Sequence, residues 1–278
     1  MNTILFTDLD NTLYNWVDYF GPSFRAMVHA LAPKFNLTEE IFKSDLKEVY
    51  ARKGTIEFLP VLQELDYFNK LSPEKRKELL DLAIIVFSRA RNKNLETYQG
   101  VIPTLKKLSE AGVIIIAVTN APLYFGEIRL KKLKIDRFFY GIAAWEGKEL
   151  PDGFNKKSSE SKYIKRRWIF TKDEIKPNPF AYLQIISDLK ISHKLSYVVG
   201  DSISKDLNPA KVIGAISIWA KYGLDFEKDN FNTLLEITNW DSKSIKSAYE
   251  EKPIEPDYVI NSFSELNNIV ETPQLKLF

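Results

Sequence analysis

The sequence predicts an α/β fold: a doubly wound, Rossmann-like parallel sheet carrying an inserted all-helical domain. Three observations predict it. Short β-rich runs alternate with helical patterns, the runs end in polar or glycine-containing loops, and the alternation is interrupted once, between about residues 16 and 95. The runs are Thr3–Thr7, Val113–Thr119, Ser196–Val199, Ala215–Trp219 and Tyr258–Ile260. The first four are apolar nearly throughout, as parallel strands covered on both faces must be.

Between them, Val101, Leu105 and Leu108 form one helical stripe, Leu123–Leu133 follows Pro122, and Phe180–Leu189 follows Asn178-Pro179, a capping and first-turn pair. The interrupting stretch holds no strand pattern. It reads as amphipathic helices near Ser23–Phe35, Thr38–Ala51, Glu57–Asn69 and Pro73–Arg91, the last opened by Ser72-Pro73. The domain expectation is therefore an α/β core of residues 1–15 and 98–278, with a helical domain of residues 16–97 inserted directly after the first strand.

Composition narrows the function classes. The chain has 278 residues, 45% hydrophobic and 27% charged, a balance that suits a globular protein and not a disordered one. A formal net charge of +2 gives no general attraction for nucleic acid. With no cysteine there is no disulfide scaffold, thiolate metal site or cysteine nucleophile. The most apolar stretch, Val113–Val118, is far shorter than the roughly 20 residues of a membrane helix. The first residues lack the basic-then-apolar order of a signal peptide. The expectation is a cytoplasmic protein with no membrane partner. Two long connections, 141–175 with the basic-aromatic run Lys162–Trp168 and the more acidic 221–256, show no obvious element. The basic run reads first as a solvated loop, and second as a positive lobe leaning over the site. His29 and His193 have no partner spacing for metal or triad chemistry.

Ligands of open α/β sheets bind beyond the carboxyl ends of the strands. Four polar clusters sit there: Asp8/Asp10/Thr12, Thr119-Asn120, Lys176, and Asp201/Asp206. Each alone also reads as a solvated turn. Together they make a device. Converging carboxylates repel unless a cation lies among them, and hard oxygen ligands suit magnesium. A lysine and a Thr-Asn pair supply the charge and hydrogen bonds that a transferring phosphoryl group requires. An aspartate can be the nucleophile, and a second carboxylate two residues on can serve as acid and base.

Taken in order, Asp8-Leu-Asp10-Asn-Thr12, Val118-Thr119-Asn120, Lys176-Pro-Asn-Pro179 and Gly200-Asp201-Ser202-Ile-Ser-Lys-Asp206 resemble the four short motifs of the haloacid dehalogenase superfamily. The helical insertion resembles that family's type 1 cap in placement. The resemblance implies roles residue by residue. Asp8 would be nucleophile and magnesium ligand; Asp10 would be general acid/base and lend its backbone carbonyl to the metal. Thr119 and Asn120 would bind the phosphoryl oxygens. Lys176 would neutralise Asp8 and the phosphoryl charge, and Asp201 would ligate Mg2+. Asp206 would hold the metal's water shell or orient Lys176, and Thr12 would brace the loop. A carboxylate at Asp10 implies phosphoryl transfer from oxygen, because family members that displace halide lack one. The resemblance thus implies a magnesium-dependent phosphatase acting on small phosphorylated metabolites such as nucleotides or sugar phosphates. A phosphomutase, or a relative that binds phosphate or a partner without turnover, stays open beside it. Pro209 stands where many relatives carry glycine.

Overall fold

The computed structural model describes residues 3–57, 59–147, 160–192, 195–238 and 254–273. Seven parallel strands form one sheet in the order β4-β3-β2-β1-β5-β6-β7: β1 Ile4–Thr7, β2 Ile114–Pro122, β3 Gly141–Trp145, β4 Arg166–Phe170, β5 Ser196–Gly200, β6 Ile216–Ala220 and β7 Tyr258–Ile260. Strand residues alternate between two cores. Leu5, Ile115, Ala117 and Val199 face one cluster, whereas Ile4, Phe6, Ile116 and Val198 face the other. Both faces are therefore buried, which is why these strands read as continuous apolar runs.

The strand order reverses beside β1. β2, β3 and β4 build outward on one side and β5 returns to the other, with Thr7 level with Val199. That switch point places the loops after β1 and β5 against each other.

The 141–175 connection, which shows no obvious element in the sequence, holds two strands, β3 and β4. The first half of the basic-aromatic run is a loop with Lys162, Tyr163 and Lys165 exposed, and its second half is the edge strand β4. Arg167 turns back to Glu127 at 2.7 Å, Trp168 donates to Asp188 at 2.8 Å, and Lys165 lies over the Tyr140 ring. Lys156 to Ser159 and His193 fall outside the described residues. His29 is exposed and meets Glu39.

Helices α1 Trp16–Leu31, α2 Glu39–Lys53, α3 Asp66–Asn69 and α4 Pro73–Lys93 make up the insertion. α1 begins seven residues before the expected Ser23 because Asn15 caps it, its side chain accepting from the Asp18 N–H at 2.9 Å; Pro22 lies inside without ending it. The helix expected over Glu57–Asn69 is instead a 3₁₀ stretch, Leu59–Glu64, followed by α3. Pro60 takes a non-helical ψ of 18°, and proline lacks the N–H that a helix interior needs. Phe20, Phe24, Tyr50 and Phe87 pack edge-to-face or stacked inside the insertion.

Helices α5 Val101–Glu110, α6 Leu123–Lys132, α7 Phe180–Leu189, α8 Asn208–Val212, α9 Lys228–Ile237 and α10 Leu266–Ile269 complete the described α-helices. Pro209 lies in the first turn of α8, where its missing N–H is not needed. α9, in the second unmatched connection, lies across α1. A Cβ on Gly21 would stand 2.6 Å from that of Asn230, and Asn230 donates to Asp18 at 2.8 Å. Lys43 and Lys47 of α2 reach Glu236 and the Leu235 carbonyl at its far end. None of the described helices is long and apolar enough to cross a membrane.

Gly21→Ala is expected to lower stability by about 1–3 kcal/mol through overpacking against α9. The readout is a lower urea midpoint at unchanged m-value; an unmoved midpoint would mean that α1 and α9 separate without cost.

Candidate active site

Four segments meet above the carboxyl ends of β1, β2 and β5. Asp8 leaves β1 with its backbone N–H on the Val199 carbonyl at 2.9 Å, so the sheet itself aims the side chain. Lys176, from the loop between β4 and α7, is 3% exposed and places its ammonium between Asp8 Oδ1 at 2.6 Å and Asp206 Oδ1 at 2.7 Å. The other oxygen of Asp206 accepts the Ser202 N–H at 3.1 Å. Asp206 folds directly over Gly200, where a Cβ would come within 2.2 Å of its carboxyl carbon; no other residue fits. Asp201 is buried beside them, its carbonyl accepting from the Trp219 indole at 2.9 Å.

Carboxylate oxygens of Asp8, Asp201 and Asp206 lie within 4.8 Å of one another. Burial pushes Asp8 up to about 7 against the pull of Lys176. Burial, with the charges of Asp8 and Asp206, drives Asp201 well above the usual carboxylate range. Burial works against the Lys176 ammonium, but Asp206 and Asp8 outweigh it and hold it charged. Fully ionised, three buried carboxylates would outnumber the one buried ammonium, and that repulsion is part of what raises Asp8 and Asp201. A hard divalent cation suits that donor set.

Asp10 does not join this cluster. Its Oδ1 accepts from the Tyr14 hydroxyl and from Arg129 Nη1 at 2.7 Å. Arg129, on α6 and 1% exposed, also hydrogen-bonds Glu57, in the segment after α2. Burial disfavours the guanidinium charge, yet Glu57, Tyr14 and Asp10 raise Arg129 well above its ordinary value.

A cleft of about 440 Å³ opens over the carboxylates, lined by Asp8, Asp10, Asn120, Lys176, Asp201 and Asp206 from below and by Gly54, Thr55, Ile56 and Glu57 from the insertion. Trp16, Phe226 and Phe231 add apolar walls and Lys205 a cation. Asn120 donates to the Lys176 carbonyl at 2.7 Å. Thr119 is fully buried behind it, its hydroxyl accepting the Ala121 N–H at 3.0 Å. Thr12 is buried too, its carbonyl accepting from the Tyr222 hydroxyl at 2.7 Å. Arg52 and Lys53 turn away to Glu64, so the residues that face the cleft are their neighbours. A second, more apolar cavity of about 410 Å³ lies behind Glu57 and Ile56, among Tyr19, Phe20, Tyr50, Phe87 and Tyr124.

Sequence reasoning missed Arg129 and Glu57. They are remote from each other and from Asp10 along the chain, and nothing local sets Arg129 apart from Lys131 and Lys132 on the same helix.

Comparison with known proteins bears on the family and the fold. A family model for haloacid dehalogenase-like hydrolases matches residues 1–214, and a second, HAD-hydrolase-like model matches 175–266. The chain is 26% identical over 271 residues to pyrophosphatase PpaX of Halalkalibacterium halodurans, covering 97% of each. It is 23% identical to glyceraldehyde 3-phosphate phosphatase of Methanopyrus kandleri, over 85% of this chain and 97% of the relative. It is 28% identical to phosphoglycolate phosphatase of Vibrio cholerae over 63% of this chain and 71% of the relative. Among solved structures, a HAD phosphatase from Thermococcus onnurineus superposes with a TM-score of 0.57 at 19% identity, covering 99% of this chain and all of the other. A 2-haloacid dehalogenase from Pseudomonas syringae pv. Tomato gives 0.55 at 18%, covering 97% and 98%. These likenesses support the fold.

Lys176→Met leaves Asp8 and Asp206 buried without a counter-charge and is expected to cost about 3–5 kcal/mol of stability. Exposed Lys205→Met should cost no more than about 0.5 kcal/mol. Urea unfolding of the two variants in metal-free buffer decides it, and equal costs would remove the charge argument.

Proposed function

The chain belongs to the haloacid dehalogenase-like hydrolase family, and from that premise we propose that it is a magnesium-dependent phosphatase of small phosphate monoesters. The observation that carries the reading is the Lys176 ammonium held between Asp8 and Asp206, with Asp201 alongside and a second carboxylate, Asp10, two residues from Asp8 and lining the same cleft.

In this reading an Asp8 carboxylate oxygen attacks phosphorus, and the bond from phosphorus to the leaving oxygen breaks. Asp10 gives that oxygen its proton, and the alcohol departs, leaving an aspartyl-phosphate on Asp8. Asp10, now ionised, takes a proton from water as the water oxygen attacks phosphorus; the bond to Asp8 breaks and inorganic phosphate leaves. Lys176 balances the charge on Asp8 and on the phosphoryl oxygens, and Asp206 fixes where Lys176 points. Asn120 faces the phosphoryl end of the cleft, with Thr119 behind it holding the turn. The Asp8 and Asp201 carboxylates and the Asp10 backbone carbonyl would hold Mg2+, which supplies charge stabilisation to Asp8 and the phosphoryl group. Thr12 supports the first loop through its bond to Tyr222. Residues 16–97 would act as the cap domain on a core of 1–15 and 98–278, its 54–57 lip closing the cleft against bulk water.

A cleft of this volume suits a small metabolite. The relatives named for glyceraldehyde 3-phosphate and phosphoglycolate support a small phosphate monoester, and the one named for pyrophosphate supports a small phosphorylated substrate.

Asp8→Asn is expected to abolish phosphate release with the circular dichroism spectrum unchanged. Asp10→Asn should cut kcat/KM by about 10²–10⁴-fold, the range of a positioned acid/base. Chelation should stop release and Mg2+ restore it. Inorganic phosphate is measured with a panel of phosphorylated metabolites; substantial turnover by Asp8→Asn, or an isomerised ester in place of phosphate, would overturn the proposal.

A further inference from the structure

Arg129 lies outside the four motifs, yet it is the only described cation hydrogen-bonded to the Asp10 carboxylate. Two donors, Arg129 Nη1 and the Tyr14 hydroxyl, converge on the same oxygen, Asp10 Oδ1, and Arg129 also donates to Tyr14 at 3.0 Å. The Asp10 carboxylate lines the cleft and its side chain is 26% exposed, whereas Arg129 is 1% exposed. One carboxylate oxygen is thus pinned from behind, and Oδ2 is left for the cleft. A guanidinium is a rigid planar fork, so its far end matters to its near end. The far end holds Glu57 in the lip, and the plane rests against the rings of Phe20 at 5.5 Å and Tyr19 at 5.9 Å.

We infer that Arg129 is a positioning residue for Asp10: anchored on Glu57 and the Tyr19–Phe20 rings, it fixes the carboxylate so that its free oxygen delivers the proton to the leaving group. The inference rests on the assignment of Asp10 as acid and base.

A merely structural ion pair would, when broken, lower activity toward all substrates alike. A positioning role separates them by leaving group. p-Nitrophenolate departs without protonation, whereas phenolate is a poorer leaving group that gains from a proton. The value of kcat/KM covers the steps through the first bond cleavage, which makes it the proper readout. Arg129→Met is expected to lower kcat/KM for phenyl phosphate by at least about tenfold more than for p-nitrophenyl phosphate, a portion of what a general acid contributes. Arg129→Lys, which keeps one charged donor but not the fork, should recover part of that ratio. Arg129→Met strands two acidic partners, so the double variant Arg129→Met/Glu57→Gln, which neutralises the far partner as well, tests the same ratio where the single variant does not fold.

Asp10→Asn is the reference, since it should show the selective loss in full. An equal fall for both esters in the Arg129 variants, or no fall, beside a selective loss in Asp10→Asn overturns the inference and leaves the phosphatase reading standing. A non-selective Asp10→Asn, or a wild type that turns over neither ester, overturns the reading itself and the inference with it.

Discussion

A lysine ammonium between two aspartates is the constraint on which the rest of this structure depends. Asp8 must stand at the end of the central strand, Asp206 must fold back over Gly200 at the end of the neighbouring one, and Lys176 must reach both from a loop beyond the sheet edge. Each of these groups would be expensive to bury alone. Their mutual satisfaction is what lets the switch point of the sheet stay both dry and charged. The parallel register of β1 with β5 provides the frame, because it sets the two acidic loops level with each other.

The electrostatics at the site divide into two compartments. Around Lys176, carboxylates outnumber the buried cation, and the excess calls for a positive guest. Around Arg129, one guanidinium bonds both Asp10 and Glu57 and the Tyr14 hydroxyl, while Glu57 Oε2 stays buried without a hydrogen-bond partner. Asp8 belongs to the first compartment and Asp10 to the second, though a single residue separates them along the chain. Strand alternation would put residues two apart on one face. The chain instead leaves β1 into a turn, with the Leu13 N–H on the Leu9 carbonyl at 2.9 Å and Asn11 at a φ of 57°, and the two carboxylates part there.

Much of the architecture was legible. β1, β2, β5 and β6 are covered on both faces, and such strands announce themselves as apolar runs. β4 did not, because it is an edge: Ile169 is exposed and Arg166 faces outward, so its alternation of charge and ring reads as a basic loop. β3, Gly-Ile-Ala-Ala-Trp, is short and built of small residues. α9 was hidden for a different reason. Its buried face is Asn230, Thr233, Leu234 and Ile237, correctly spaced for a helix but half polar. The acidic loops were legible through spacing, since their chemistry is written in consecutive residues. Arg129 and Glu57 were not, since their meaning comes from a contact across 72 residues of chain.

The placement of α9 has a consequence for how such a protein can be altered. By sequence it belongs with the sheet, far downstream of the helical insertion; by contact it lies along α1 and ties α2 at its far end. It also places Phe231 in the wall of the cleft, beside Phe226. The insertion is therefore packed as two segments of chain, residues 16–97 and Lys228–Ile237. Transplanting residues 16–97 alone into another scaffold would carry away a surface shaped for Asn230 and leave its counterpart behind. The heritable module is discontinuous, and any recombination that respects it must exchange both pieces together.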